Sequence, residues 1–175
     1  IASALGLSLY LRKNRSSRNE AYIRISLGYL LLTAVALDPV LTIIRFGNTP
    51  FGWGLVERSS LPFYLCDVVS IILAVALIRK SQRLAEIGYL WGLAGTVQGL
   101  ITPTLWFGWG TPEFLVFFLQ HGGVPIAAVV LVWGLGITPV KGAFKRAVYW
   151  SWGYMALTMT INWSLGQNYG FLNGL

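Results

Sequence analysis

Leu61-Pro62-Phe63-Tyr64-Leu65-Cys66-Asp67 runs without a break into Val68-Val69-Ser70-Ile71-Ile72-Leu73-Ala74-Val75-Ala76-Leu77-Ile78. A run this apolar and this long reads as a helix crossing most of a bilayer. Asp67 sits inside it, beside the only cysteine of the chain. An ionisable group at such a depth is costly, so it faces the interior of a helix bundle and marks a site.

Composition agrees with a membrane assignment. The 175 residues are 55 % hydrophobic and 11 % charged, against about a quarter charged in ordinary soluble domains. Mean hydropathy is +0.64. The net charge of +7 lies in short clusters between apolar segments, which is the pattern of membrane loops and argues against nucleic acid as a partner. One cysteine excludes an intramolecular disulfide, and one histidine excludes a multi-histidine metal site or bis-histidine haem. No metal and no cofactor are expected.

The apolar segments predict an all-α, polytopic transmembrane bundle of about six helices in a single domain, 1–175. Helix boundaries are expected near 1–11, 21–46, 61–78, 84–102, 113–135 and 147–165. Residues 47–60 read as a connection containing Gly and Trp. The chain opens on Ile1 inside an apolar run rather than on Met, and both ends are expected to continue in the natural protein. Lysines and arginines number four after the first helix, one after the second, three after the third, none after the fourth and three after the fifth. By the positive-inside rule the loops after helices 1, 3 and 5 are cytoplasmic. Tryptophans 53, 106, 109 and 163 then form an outer belt, and 133, 150 and 152 an inner one.

With that orientation, a rise of 1.5 Å per residue places Cys66 and Asp67 roughly 8–9 Å below the outer surface. Gln98 falls about 6 Å down, Thr102 at the end of its helix, and His121 about 12 Å down. Asn162 and Asp38 share the outer half. Taken singly, Gln98, Thr102 and Asn162 suit interhelical hydrogen bonding, worth about 0.6–2 kcal/mol each. Asp38 divides between a structural partner, with Arg45 in reach, and a site role. Arg24 is expected to snorkel and Glu86 to lie near the interface.

Cys66, His121 and Asp67 form a sharper set. A thiolate needs a base or a positive field, which a histidine supplies, and a carboxylate fixes the imidazole or ties the bundle. Gln120-His121-Gly122-Gly123-Val124-Pro125 combines two poor helix formers with a proline that removes the donor for the His121 carbonyl. A local opening of the helix there would leave room for water or substrate. The alternative is a kinked helix packing closely through its glycines.

These residues carry a resemblance. Leu61 to Asp67, Tyr89-Leu90-Trp91-Gly92-Leu93-Ala94-Gly95-Thr96 with Gln98, Thr102-Pro103, Phe117-Phe118 before His121, and Asn162 with Gly166-Gln167-Asn168-Tyr169 are similar to the YwaF family. These bacterial integral membrane proteins are related to the eukaryotic transmembrane protein 164 group. The resemblance implies about seven helices, the last following Leu175, and the bacterial inner membrane. Through the eukaryotic group it also implies a lipid acyltransferase in which a cysteine matching Cys66 carries the acyl group and a histidine matching His121 assists. Asp67 joins the candidate catalytic set from the reading of the residues above. Gln98, Thr102, Asn162, Asn168 and Tyr169 are the expected substrate contacts. Where the resemblance implies a histidine in the first motif, this chain has Tyr64.

Two functions follow. In the first, Cys66 attacks a phospholipid ester with His121 as proton shuttle, and membrane lipids are the partners. In the second, the chain is a non-catalytic accessory or structural subunit of a larger membrane complex, its polar layer binding lipid, pigment or quinone. A transporter ranks third, because no inverted repeat is visible.

Overall fold

A computed structural model describes residues 2–103, 105 and 107–172. Among these the chain is helical, with no strand. Seven helical segments succeed one another: α1 (Ala2–Lys13), α2 (Arg18–Phe46), α3 (Gly52–Ser60), α4 (Leu65–Arg79), α5 (82–101), α6 (Pro112–Gly134) and α7 (Ala143–Leu165). A short 3₁₀ turn, Tyr169–Phe171, follows α7. Two helices, α2 and α6, are long and apolar enough to cross a bilayer. The pair α3 and α4, bent by 65°, makes a third if it is one broken span. The all-α bundle of about six helices expected from the sequence is thus present as seven helical segments, two or three of which are long and apolar enough to cross a bilayer.

Local sequence explains the ends. The Ser17 side chain accepts from the Glu20 amide at 3.0 Å, and the Glu20 carboxylate accepts from the Ser16 amide at 3.2 Å. This is close to a reciprocal capping box and starts α2 at Arg18. Thr111 caps α6 through the Phe114 amide at 3.3 Å, with Pro112 in its first turn, where a missing N–H costs nothing. The expected connection 47–60 instead folds as α3. Pro62 does not open the next helix either: Tyr64 is the extended N-cap, and helical geometry begins at Leu65.

α4 is the centre of the bundle. It packs against α2 and α6 on one side and α5 on the other, and α1 lies against the end of α6. Leu31 of α2, Val69, Leu73 and Leu77 of α4, Ile87 of α5, and Val124 and Leu131 of α6 are the core. α7 touches chiefly α5 and the 169–171 turn, leaving Phe144, Trp150, Trp152, Leu157 and Trp163 exposed. Trp53, Trp109 and Trp133 are exposed as well, as an aromatic belt requires; Trp106 lies outside the described residues.

The opening expected at Gly122–Pro125 is absent. α6 continues as an α-helix to Val129 and widens only at 130–134. Gly123 explains the continuity: a Cβ there would stand 2.9 Å from Leu31, so the glycine lets α2 close on α6, which is the packing alternative.

At one end of the bundle the buried charges are paired. Glu20, 1 % exposed, accepts from Arg24 at 3.0 Å and Lys80 at 2.9 Å. Arg24 does not snorkel: it is buried and donates onward to the Leu77 and Ile78 carbonyls, the free last-turn acceptors of α4. Glu86 is fully buried, taking Arg146 at 2.6 Å, Gln82 at 3.0 Å and the Val140 amide at 3.1 Å. This layer fastens α2, α4, α5 and the 138–146 segment together.

Candidate functional site: a cavity at the break between α3 and α4

The opposite end holds a cavity of about 610 Å³, within the range of small-molecule sites. Asp38 and Thr42 of α2, Ser60 of α3, Cys66 and Asp67 of α4, Gln98 and Thr102 at the end of α5, and Glu113 and His121 of α6 all line it. Residues far apart in the chain meet here because three features converge. α3 and α4 break just before Cys66. α5 presents glycines. α6 enters through its first turns.

Because α4 begins at Leu65, Cys66 and Asp67 stand in its first turn rather than beyond it. The Leu65 and Cys66 amides precede the first backbone bonds of α4, which the Asp67 and Val68 amides make to the Tyr64 carbonyl, and the helix dipole favours negative charge there. The sequence, which places the helix start earlier, underrates this effect.

Glycines of α5 let both neighbours approach. A Cβ at Gly95 would sit 2.7 Å from Leu65, and one at Gly99 would sit 2.5 Å from Cδ2 and 3.0 Å from Nε2 of His121. The imidazole is thus seated against Gly99. Its other face stacks on Phe117, centroids 4.0 Å apart at 19°. Nδ1 lies 3.0 Å from the Phe117 carbonyl. A carbonyl only accepts, so Nδ1 carries the proton and Nε2 keeps its lone pair. Nε2 has no hydrogen-bond partner among the described residues.

Asp67 does not orient the imidazole. Its Oδ1 accepts from Gln120 Nε2 at 2.7 Å, a residue absent from the sequence-level site. Gln120 and His121 are neighbours on α6, and Asp67 and Cys66 are neighbours on α4, so this one bond links the two sides of the site. Gln120 is 5 % exposed. Gln120→Leu is expected to cost about 1–3 kcal/mol by leaving a carboxylate without its donor, measured as a lower thermal midpoint in detergent. An unchanged midpoint would show that the bond has no stabilising role. Among the described residues no hydrogen bond joins the Cys66 thiol to His121.

Other expectations change. Arg45 pairs with Glu113 at 2.7 Å, not with Asp38, and stacks 4.6 Å over Phe107 at the rim. Gln98 and Thr102 are in the wall but bond one another: the Gln98 amide reaches the Thr102 hydroxyl at 3.3 Å, which donates to the Gln98 carbonyl at 3.1 Å. Asn162, Asn168 and Tyr169 are not among the described cavity-lining residues. Asn162 accepts from the Tyr169 amide at 2.7 Å and donates to its carbonyl at 2.9 Å. The Tyr169 phenol donates to the Glu57 carbonyl, and its ring packs edge-on against Phe63 and Tyr64. Asn162 sits on α7, which packs chiefly on α5 and the 169–171 turn and supplies none of the described cavity-lining residues. Its role is to hold the tail, whose next residues, Gly170 and Phe171, reach the rim.

The profile of the TMEM164 family matches residues 1–174. The chain belongs to the TMEM164 family. No curated protein and no solved structure matches it. For this TMEM164-family chain the membrane assignment now has two independent supports, the family and the apolar helices α2 and α6.

Proposed function

We propose that this chain is a cysteine-dependent lipid acyltransferase. The observation that carries the reading is the shared cavity: the only thiol and the only imidazole of the chain line one space beside a helix N-terminus. His121 Nε2, with its free lone pair, takes the Cys66 proton. The thiolate adds to the carbonyl carbon of a phospholipid ester, and the carbonyl π pair moves onto oxygen. When that pair returns, the C–O bond to the glycerol breaks, and the departing alkoxide takes the proton back from the imidazolium. The products are a thioester on Cys66 and a lysophospholipid. An acceptor hydroxyl reverses the sequence. The cationic loops after α1, α4 and α6 face the cytoplasm in this reading, so the cavity opens to the outer leaflet.

Vesicles of phospholipid bearing a terminal alkyne on the acyl chain supply the test. The purified protein is expected to acquire a label that survives denaturation and is released by neutral hydroxylamine, as a thioester is. A protein that exchanges no acyl chain under turnover conditions is instead a lipid-binding or accessory subunit.

A further inference from the structure

Residues Gly92–Thr96 of α5 form a π-helical turn. Inside an α-helix a threonine ordinarily returns its hydroxyl to the carbonyl four residues back. The wider π turn displaces that carbonyl, and such turns recur at functional sites. Here the Thr96 hydroxyl, on a residue 3 % exposed, has no hydrogen-bond partner among the described residues. A buried donor left unpaired is destabilising, so its retention calls for a reason. Thr96 lines the cavity that holds Cys66 and His121. The other donors expected for an oxyanion are engaged: Gln98 and Thr102 with each other, and Asn162 with Tyr169.

We infer that Thr96 is a catalytic residue whose hydroxyl donates to the ester carbonyl oxygen during attack by Cys66. The inference rests on the acyltransferase reading. As the C–S bond forms, the carbonyl π pair becomes an oxyanion. Thr96 keeps its own proton and stabilises that charge until the pair returns and the lysophospholipid alkoxide leaves with the proton from His121. A helical threonine has two accessible χ1 rotamers. Turning the hydroxyl toward the cavity breaks no existing bond, because it has none to lose.

The test compares Thr96→Val with Thr96→Ser. Valine has a similar shape without the unpaired donor, so the thermal midpoint in detergent is expected to equal or exceed that of wild type. The single-turnover rate of Cys66 labelling from the alkyne phospholipid vesicles is expected to fall about 10²–10³-fold, the effect of removing one oxyanion donor. Serine is expected to recover most of the rate. Wild-type labelling by Thr96→Val, or equal losses in the valine and serine variants, would overturn the assignment while leaving the acyltransferase intact. Absence of label on the wild-type protein would remove both.

Discussion

Cys66→Ala is expected to abolish acyl labelling from alkyne phospholipid vesicles while leaving the protein folded. The thiol is half-buried at the start of α4, and the helix is held by Val69, Leu73 and Leu77 further along, so removing one sulfur leaves the packing nearly unchanged. His121→Ala separates the two halves of the mechanism. The nucleophile remains without the imidazole assigned to take its proton, and loss of a general base typically slows a reaction by about 10²–10⁴-fold. His121→Gln is the control for packing, since it keeps polar bulk between Gly99 and Phe117 without a basic nitrogen. A rate for Cys66→Ala close to wild type, read by the same labelling or by release of lysophospholipid, would defeat the proposed chemistry. Slow transfer in His121→Ala that returns with added imidazole would place the lost function at Nε2.

Glu20→Leu is expected to cause the largest loss of stability, about 3–5 kcal/mol, because it leaves the buried Arg24 cation without its carboxylate. Arg24 would retain only the Leu77 and Ile78 carbonyls. Lys80, the other partner of Glu20, is less affected because its side chain is 45 % exposed and reaches water. Replacing both buried members, Glu20→Leu with Arg24→Met, is expected to recover much of the loss, since a buried pair replaced by apolar groups is often neutral. Thermal unfolding in detergent checks both variants. A double variant as unstable as the single one would show that Arg24 acts mainly by capping the carbonyls at the end of α4. Either result leaves the cavity residues untouched, because this charged layer stands at the other end of α4.

The same contrast explains which parts of the site were legible. Cys66, Asp67, Gln98, Thr102 and His121 are polar residues at one depth, and a fixed rise per residue converts sequence position into depth. Asp38 reaches the same cavity for the same reason. Asn162 has the expected depth but not the place, because lateral position depends on which helices pack together, and α7 packs on α5 and the 169–171 turn rather than against the cavity wall. Gln120 left no signal of its own: an amide beside a histidine looks like any interhelical donor until Asp67 is found 2.7 Å away. Thr96 was hidden by the π turn, whose irregular register no apolar periodicity announces.

By itself the sequence determined the solvent and the chemistry on offer. Apolar runs with few charges cannot fold stably in water without exposing hydrocarbon, and a single thiol and a single imidazole restrict which nucleophile and base exist. Tertiary structure alone decided where α4 begins and which side chains meet. Those outcomes depend on the 65° bend before Leu65 and on glycines whose missing Cβ atoms let α5 approach Leu65 and His121. Such contacts arise between helices, where neither propensity nor periodicity along one helix carries the information.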